Sequence, residues 1–103
     1  MKAFCDRKFG MFIHWGLYAL PGGRHNGKAM ETIGEWFQSY FRMPNAEYAE
    51  FAPKFNPVKF NADDWIRKAS AAGVKYIVFT TKHHDGFCMY DTKVSDYNIV
   101  KMT

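Results

Sequence analysis

Cysteine is scarce: the 103-residue sequence holds two, Cys5 and Cys88, far apart and with no C-x-x-C pair. That spacing excludes a zinc knuckle and a disulfide framework and leaves two free thiols as the expectation. No apolar run approaches the length of a membrane span. The opening residues, Met1-Lys2-Ala3-Phe4-Cys5-Asp6, lack the apolar stretch of a signal peptide. Basic clusters are missing as well. Although 14 Lys and Arg against 10 Asp and Glu give a net charge of +4, no more than two basic residues are ever adjacent, as in Arg7-Lys8 and Arg67-Lys68. Nucleic-acid binding needs a basic stripe or a clustered face, so neither a nucleic acid nor a membrane is an expected partner.

The 48% hydrophobic content is enough to fill one small core, and one compact unit is the expectation. Aromatic residues make up 18%, Trp15, Trp36 and Trp65 among them. Most should serve packing. The exception worth following is an aromatic beside polar groups at a strand end, because a flat ring face packs against the apolar patches of a sugar.

Along the chain, residues 9–16 (Phe-Gly-Met-Phe-Ile-His-Trp-Gly) form a nearly continuous apolar run, as expected of a parallel strand covered on both faces. Residues 17–28 carry the turn signals Pro21-Gly22-Gly23 and Asn26-Gly27 and read as a long loop. Between Glu35 and Met43, helical spacing sets Trp36, Tyr40 and Met43 on one face until Pro44 halts it. Asn45 then caps a second short helix with Tyr48, Phe51 and Ala52 on a shared face, stopped by Pro53. Residues 55–60 read as an extended connector pinned by Pro57.

The strongest helix signal spans Ala62 to Ala72. Asn61 is its cap, Asp63 and Asp64 suit its first turn, Trp65, Ile66 and Ala69 form its apolar face, and Gly73 closes it. Val74 to Thr81 follows as a buried strand of β-branched and aromatic residues. Strand, helical crossover and parallel strand make a βαβ unit, and no repeat or domain boundary is visible.

In parallel α/β folds, ligands bind where strands end, because the loops there vary while the sheet stays packed. The first expected strand closes on His14 and the second on His83 and His84, so three of the four histidines fall on one predicted rim. A metal is one reading of His14, His83, His84 and Asp85. An extended backbone argues against it, since His83 and His84 would then point to opposite faces. A hydroxyl-rich ligand is another. Imidazoles donate and accept hydrogen bonds, the Glu35 carboxylate accepts several, and the Trp36 indole offers a flat face. Glu35 is equally well explained as an acidic residue favoured at a helix start.

Three segments taken together, residues 8–16 (Lys-Phe-Gly-Met-Phe-Ile-His-Trp-Gly), Gly34-Glu35-Trp36 and residues 82–87 (Lys-His-His-Asp-Gly-Phe), resemble the α-L-fucosidases of glycoside hydrolase family 29. Phe55-Asn56-Pro57, residues 72–76 and residues 91–98 are similar too, so the likeness covers nearly the whole chain. The resemblance implies an α/β fold comprising the N-terminal βα units of a (β/α)8 TIM barrel. A full barrel needs about 250 residues, so residues 1–103 would be an N-terminal fragment with roughly two of eight strands.

The resemblance further implies that His14, Glu35, Trp36, His83 and His84 line the pocket for a terminal L-fucose on an oligosaccharide or glycoconjugate. Members of the family cleave with retention, using two carboxylates about 5 to 5.5 Å apart. The family's nucleophile is an aspartate on a later strand, beyond Thr103, while Glu35 matches one position at which an acid/base carboxylate is found. Asp85 and Asp91 are expected to shape turns. No metal or organic cofactor is implied, and turnover by these residues alone is not expected. The competing readings are a non-catalytic sugar-binding or interaction module and a metal-dependent hydrolase built on the histidines. Uncovered strand edges make self-association a further expectation.

Overall fold

Apolarity without alternation led to the expectation of strands covered on both faces; in the computed structural model, which describes residues 1–103, the two runs pair in parallel, but no other element of their unit covers them fully, and Phe12, Val78 and Phe79 are exposed. In chain order the elements are α1 (Lys2–Arg7), β1 (Gly10–Ile13), a hairpin of β2 (Arg24–His25) and β3 (Lys28–Ala29), α2 (Phe37–Tyr40), α3 (Asn45–Ala49), α4 (Ala62–Ala71), β4 (Tyr76–Phe79) and α5 (Ile99–Met102). Single 3-10 turns lie at Leu17–Ala19, Gly34–Trp36 and Ala52–Lys54.

Contacts divide the chain into two compact units, residues 1–13 with 57–79 and residues 14–56 with 80–103. The expectation of one unit is corrected here. Both units are assembled from two separate stretches, so no shift in composition along the chain marks where one ends.

The first unit holds the regular α/β structure. Gly10 to Ile13 pair with Tyr76 to Phe79 in parallel register, and the Lys75 N–H donates to the Phe9 carbonyl at 2.8 Å. Gly10 is required by a close approach: a Cβ there would lie 2.2 Å from the Tyr76 ring. α4 starts where expected, with Asn61 Oδ1 accepting from the Asp64 N–H at 2.8 Å. It ends at Ala71 with Ala72 as its C-cap, and Gly73 takes the left-handed conformation (φ 86°) that glycine adopts without a Cβ penalty. The apolar face assigned to α4 is only partly realised. Ala69 is buried, but Trp65 is 38% and Ile66 55% exposed. Residues 58–60 form a turn in which the Phe60 N–H donates to the Pro57 carbonyl at 2.9 Å, rather than an extended connector.

The second unit holds the core. Leu17, Tyr18, Phe37, Met43, Tyr48, Ala52, Phe55 and Phe87 form one buried cluster, although most of the backbone here is turns and single helical turns. Within α2 the sequence reading is corrected. Phe37 is the buried residue, while Trp36 and Tyr40 are exposed, because Gly34–Trp36 is a 3-10 turn that shifts the helical phase. The residue before α3 is Pro44; Asn45 is its first helical residue and accepts from Gln38 Nε2 at 2.7 Å instead of capping. The Asn26-Gly27 signal turns a short hairpin, and α5 is capped by buried Asn98, whose Oδ1 accepts from the N–H groups of Val100 and Lys101.

Candidate functional site

The two paired strands stop at Ile13 and Phe79, four residues each, so His14 and residues 80–84 lie just past the strands instead of on them. In the second unit these two exits are tied together. The Trp15 N–H donates to Thr80 Oγ1 at 3.3 Å, and the Tyr18 hydroxyl sits 3.5 Å from the same oxygen. The segment after Thr80 then turns. Gly86, at φ 76°, lets its N–H reach back to the His83 carbonyl at 3.0 Å, and Lys82 bridges to Cys88 in antiparallel fashion.

That turn overrides the geometry an extended chain would impose. His83 and His84 do not splay to opposite faces; their ring centroids are 4.6 Å apart and perpendicular. His83 also meets His14 edge-on at 5.4 Å and Tyr18 at 5.9 Å. His84 meets the Trp36 ring edge-on at 5.6 Å, and His14 Nδ1 lies 4.0 Å from Glu35 Oε1. The five residues singled out in the sequence therefore form one continuous run of contacts: Trp36, His84, His83, His14, Glu35. The extended-chain argument against a metal no longer applies. No three His, Cys, Asp or Glu side chains nevertheless come together as a ligand set.

A hollow of about 340 Å³ opens beside this run, lined by Glu35, Trp36, Gln38, Ser39, His84 and Asp85. Trp36 is 48% exposed, so its ring remains accessible to a ligand. The Glu35 side chain is mostly covered, at 18% exposure. His83 Nδ1 is buried and makes no hydrogen bond to the chain.

Four residues in or beside this site went unnoticed in the sequence: Tyr18, Gln38, Ser39 and Tyr48. Tyr18 sat in an apparent loop, and Tyr48 reads as plain core from its spacing; no local signal distinguishes either. Asp85 shapes the turn as expected, its Oδ1 accepting from the Phe87 N–H at 3.2 Å. Its other oxygen accepts from the Tyr48 hydroxyl at 2.8 Å. Burial pushes the Asp85 carboxyl above the usual carboxylate range, and the bonds from Tyr48 and Phe87 pull it partly back. Burial, with the Asp85 charge beside it, raises the Tyr48 phenol well above its ordinary value, and the same causes push Tyr97 up to about 12. Tyr18 is raised by burial, offset in part by its contact with Thr80.

Known proteins of one kind share this arrangement of chain. A family model described as alpha-L-fucosidase matches residues 1–103. The tissue alpha-L-fucosidase of Rattus norvegicus is 38% identical over 98 residues, covering 89% of this chain and 21% of that protein. A crystal structure of a family 29 alpha-L-fucosidase from Bacteroides thetaiotaomicron superposes with a TM-score of 0.96 at 42% identity, over 99% of this chain and 23% of that one. An alpha-L-fucosidase from Lactobacillus casei, solved with its α-L-fucose product, gives a TM-score of 0.94 at 48% identity, over 97% of this chain and 31% of that one. The chain thus spans about a fifth of the length of the curated relatives it matches.

Proposed function

This chain belongs to the α-L-fucosidase family, and from that premise we propose that it serves the hydrolysis of terminal α-L-fucosidic linkages on glycans, with retention, by supplying part of the fucose pocket of a complete enzyme. The observation that carries the reading is the unbroken run of contacts from Trp36 through His84, His83 and His14 to Glu35. A fucose ring presents hydroxyls in several directions and one apolar patch. Imidazoles meet the hydroxyls as donor or acceptor, the Glu35 carboxylate accepts from them, and the exposed Trp36 face covers ring carbons.

On this reading the first unit is the N-terminal βα part of a (β/α)8 barrel, and its uncovered strands are flanked by further strands in the full enzyme. Retention requires a nucleophile and an acid/base carboxylate about 5 to 5.5 Å apart. Asp85 is committed to Tyr48 and Phe87 and is a poor nucleophile. The family resemblance assigns the nucleophilic aspartate to a later strand, outside these residues, and Glu35 is kept as a sugar-holding group with an acid/base role open to it.

A graft tests the proposal. Residues 1–103 replace the matching segment of the Bacteroides thetaiotaomicron enzyme, and release of an aryl α-L-fucoside is followed. The graft is expected to turn over, His84→Ala and Trp36→Ala within it to lose at least about tenfold in kcat/KM, and the 103-residue chain alone to show no enzyme-like rate. Unchanged kinetics in both variants would remove the assignment of the pocket, and turnover by the chain alone would remove the external nucleophile.

A further inference from the structure

Five side chains are assigned to the sugar, and the perpendicular contact of the central pair, His83 and His84, depends on the turn that follows them, in which the Gly86 N–H donates to the His83 carbonyl. Asp85 is the next residue, and its carboxylate is held at both oxygens: Oδ1 by the Phe87 N–H within its own turn, and Oδ2 by the Tyr48 hydroxyl 37 positions away in sequence.

The two ends of this link differ in rigidity. Tyr48 lies on α3, fully buried, with its ring against Phe37 and Phe51. It is locked by packing. The histidine segment has no regular structure, being held mainly by the Gly86-to-His83 turn bond, the Lys82–Cys88 bridge and the Tyr18 ring edge on His83. A hydrogen bond from a core phenol to a part-buried carboxylate transmits the position of the core to that turn, and such charge-assisted bonds are stronger than neutral ones. Asp85 also lines the hollow beside His84, so a shift of its carboxylate moves the wall of the site itself.

We propose that Tyr48 and Asp85 are positioning residues that fix the His83–His84 pair, and through it the recognition of fucose hydroxyls, by anchoring the turn that follows the histidines to the aromatic core. The proposal deepens the reading of the pocket and rests on it for the sugar. The orientation of the imidazoles does not depend on the identity of the ligand, which allows the two to be tested apart.

The test uses the graft of residues 1–103 into the Bacteroides thetaiotaomicron enzyme, its Tyr48→Phe variant, which keeps the ring and removes only the hydroxyl, and Asp85→Asn as the second variant. NMR signals of the His83 and His84 imidazoles are compared with those of His25, which packs against Phe37 and Phe41, and each protein is titrated with L-fucose. In both variants the His83 and His84 signals are expected to move more than those of His25, and fucose affinity to fall about tenfold. Fucose binding with unmoved imidazole signals and unchanged affinity in Tyr48→Phe overturns the positioning role and leaves the pocket standing. Absence of fucose binding in the unsubstituted graft counts against the pocket. The imidazole signals of the sugar-free proteins then decide the positioning role alone, moved signals supporting it and unmoved ones overturning it.

Discussion

The two units solve the problem of folding in opposite ways. The first has the regular elements, a parallel strand pair and a capped ten-residue helix, and buries almost nothing: Ala69 is its one buried residue. The second has scarcely a regular element longer than five residues, yet it contains the whole buried aromatic cluster and every residue assigned to the sugar. Secondary structure and stability are thus separable here. Backbone hydrogen bonds shape the first unit, while removal of apolar area from water holds the second, at roughly 25 cal/mol per Å². The residues proposed for the sugar lie in the unit that holds the buried core, beside packed side chains and outside the paired strands.

The sharpest way to break that contrast is by truncation in each unit. Phe37→Ala removes a fully buried ring and is expected to cost about 3–5 kcal/mol in urea unfolding. Ile66→Ala, on the open face of α4, is expected to stay within about 0.5 kcal/mol. Equal losses would mean that the first unit has a cover the chain itself provides.

A smaller effect separates the two helix caps. Asn98 is fully buried, its Oδ1 accepting two backbone N–H groups and its Nδ2 donating to the Ser95 carbonyl. Asn98→Ala leaves all of these unmatched and is expected to cost about 2–3 kcal/mol, near the upper end for buried polar groups. Asn61→Ala removes one exposed capping bond in the first unit and is expected to cost about 1 kcal/mol. Thermal unfolding of the pair checks the order.

The smallest effect is the response to acid, and it has opposite sign in the two units. Burial raises the Asp85 carboxyl in the second unit, so the folded state binds its proton more readily than the unfolded chain. Its contribution to stability is fully present below the ordinary carboxylate value and is lost as pH rises through the raised one. Asp64 in the first unit is lowered, chiefly by its bond to Lys68 and also by Arg67, so its contribution is present above the ordinary value and is lost as pH falls through the lowered one. Carboxyl carbon titration by NMR is expected to show Asp85 protonating at higher pH than Asp64. The reverse order would show that Asp85 is open to water.

Much of the first unit was legible. Asn61, the acidic first turn and Gly73 bracket α4 through bonds made within a few residues, and apolar continuity located both strands to within two or three residues at each end. The exposed faces of Trp65 and Ile66 were not legible, because periodicity tells which side of a helix is apolar and not whether anything covers it. In the second unit the residues proposed to face the sugar came from Gly34-Glu35-Trp36 and the His-His-Asp run by resemblance, and the structure brings them into contact with one another. The shared face read for Trp36, Tyr40 and Met43 did not reveal Phe37 as the buried aromatic, since a 3-10 turn advances the chain differently from an α-helix and nothing local announces it.

The amino-acid sequence on its own determined the cap and end of α4, the approximate strand positions, the turn at Asp85-Gly86 and the residue types gathered past the strand ends, because each depends on interactions between near neighbours in the chain. Only the tertiary structure decided that the His83 and His84 rings meet at right angles, that Phe37 is buried and Trp36 is left facing the hollow, and that Tyr48 reaches Asp85 across 37 residues. Those outcomes arise from packing between segments distant in sequence, where the burial of one ring settles the direction of another.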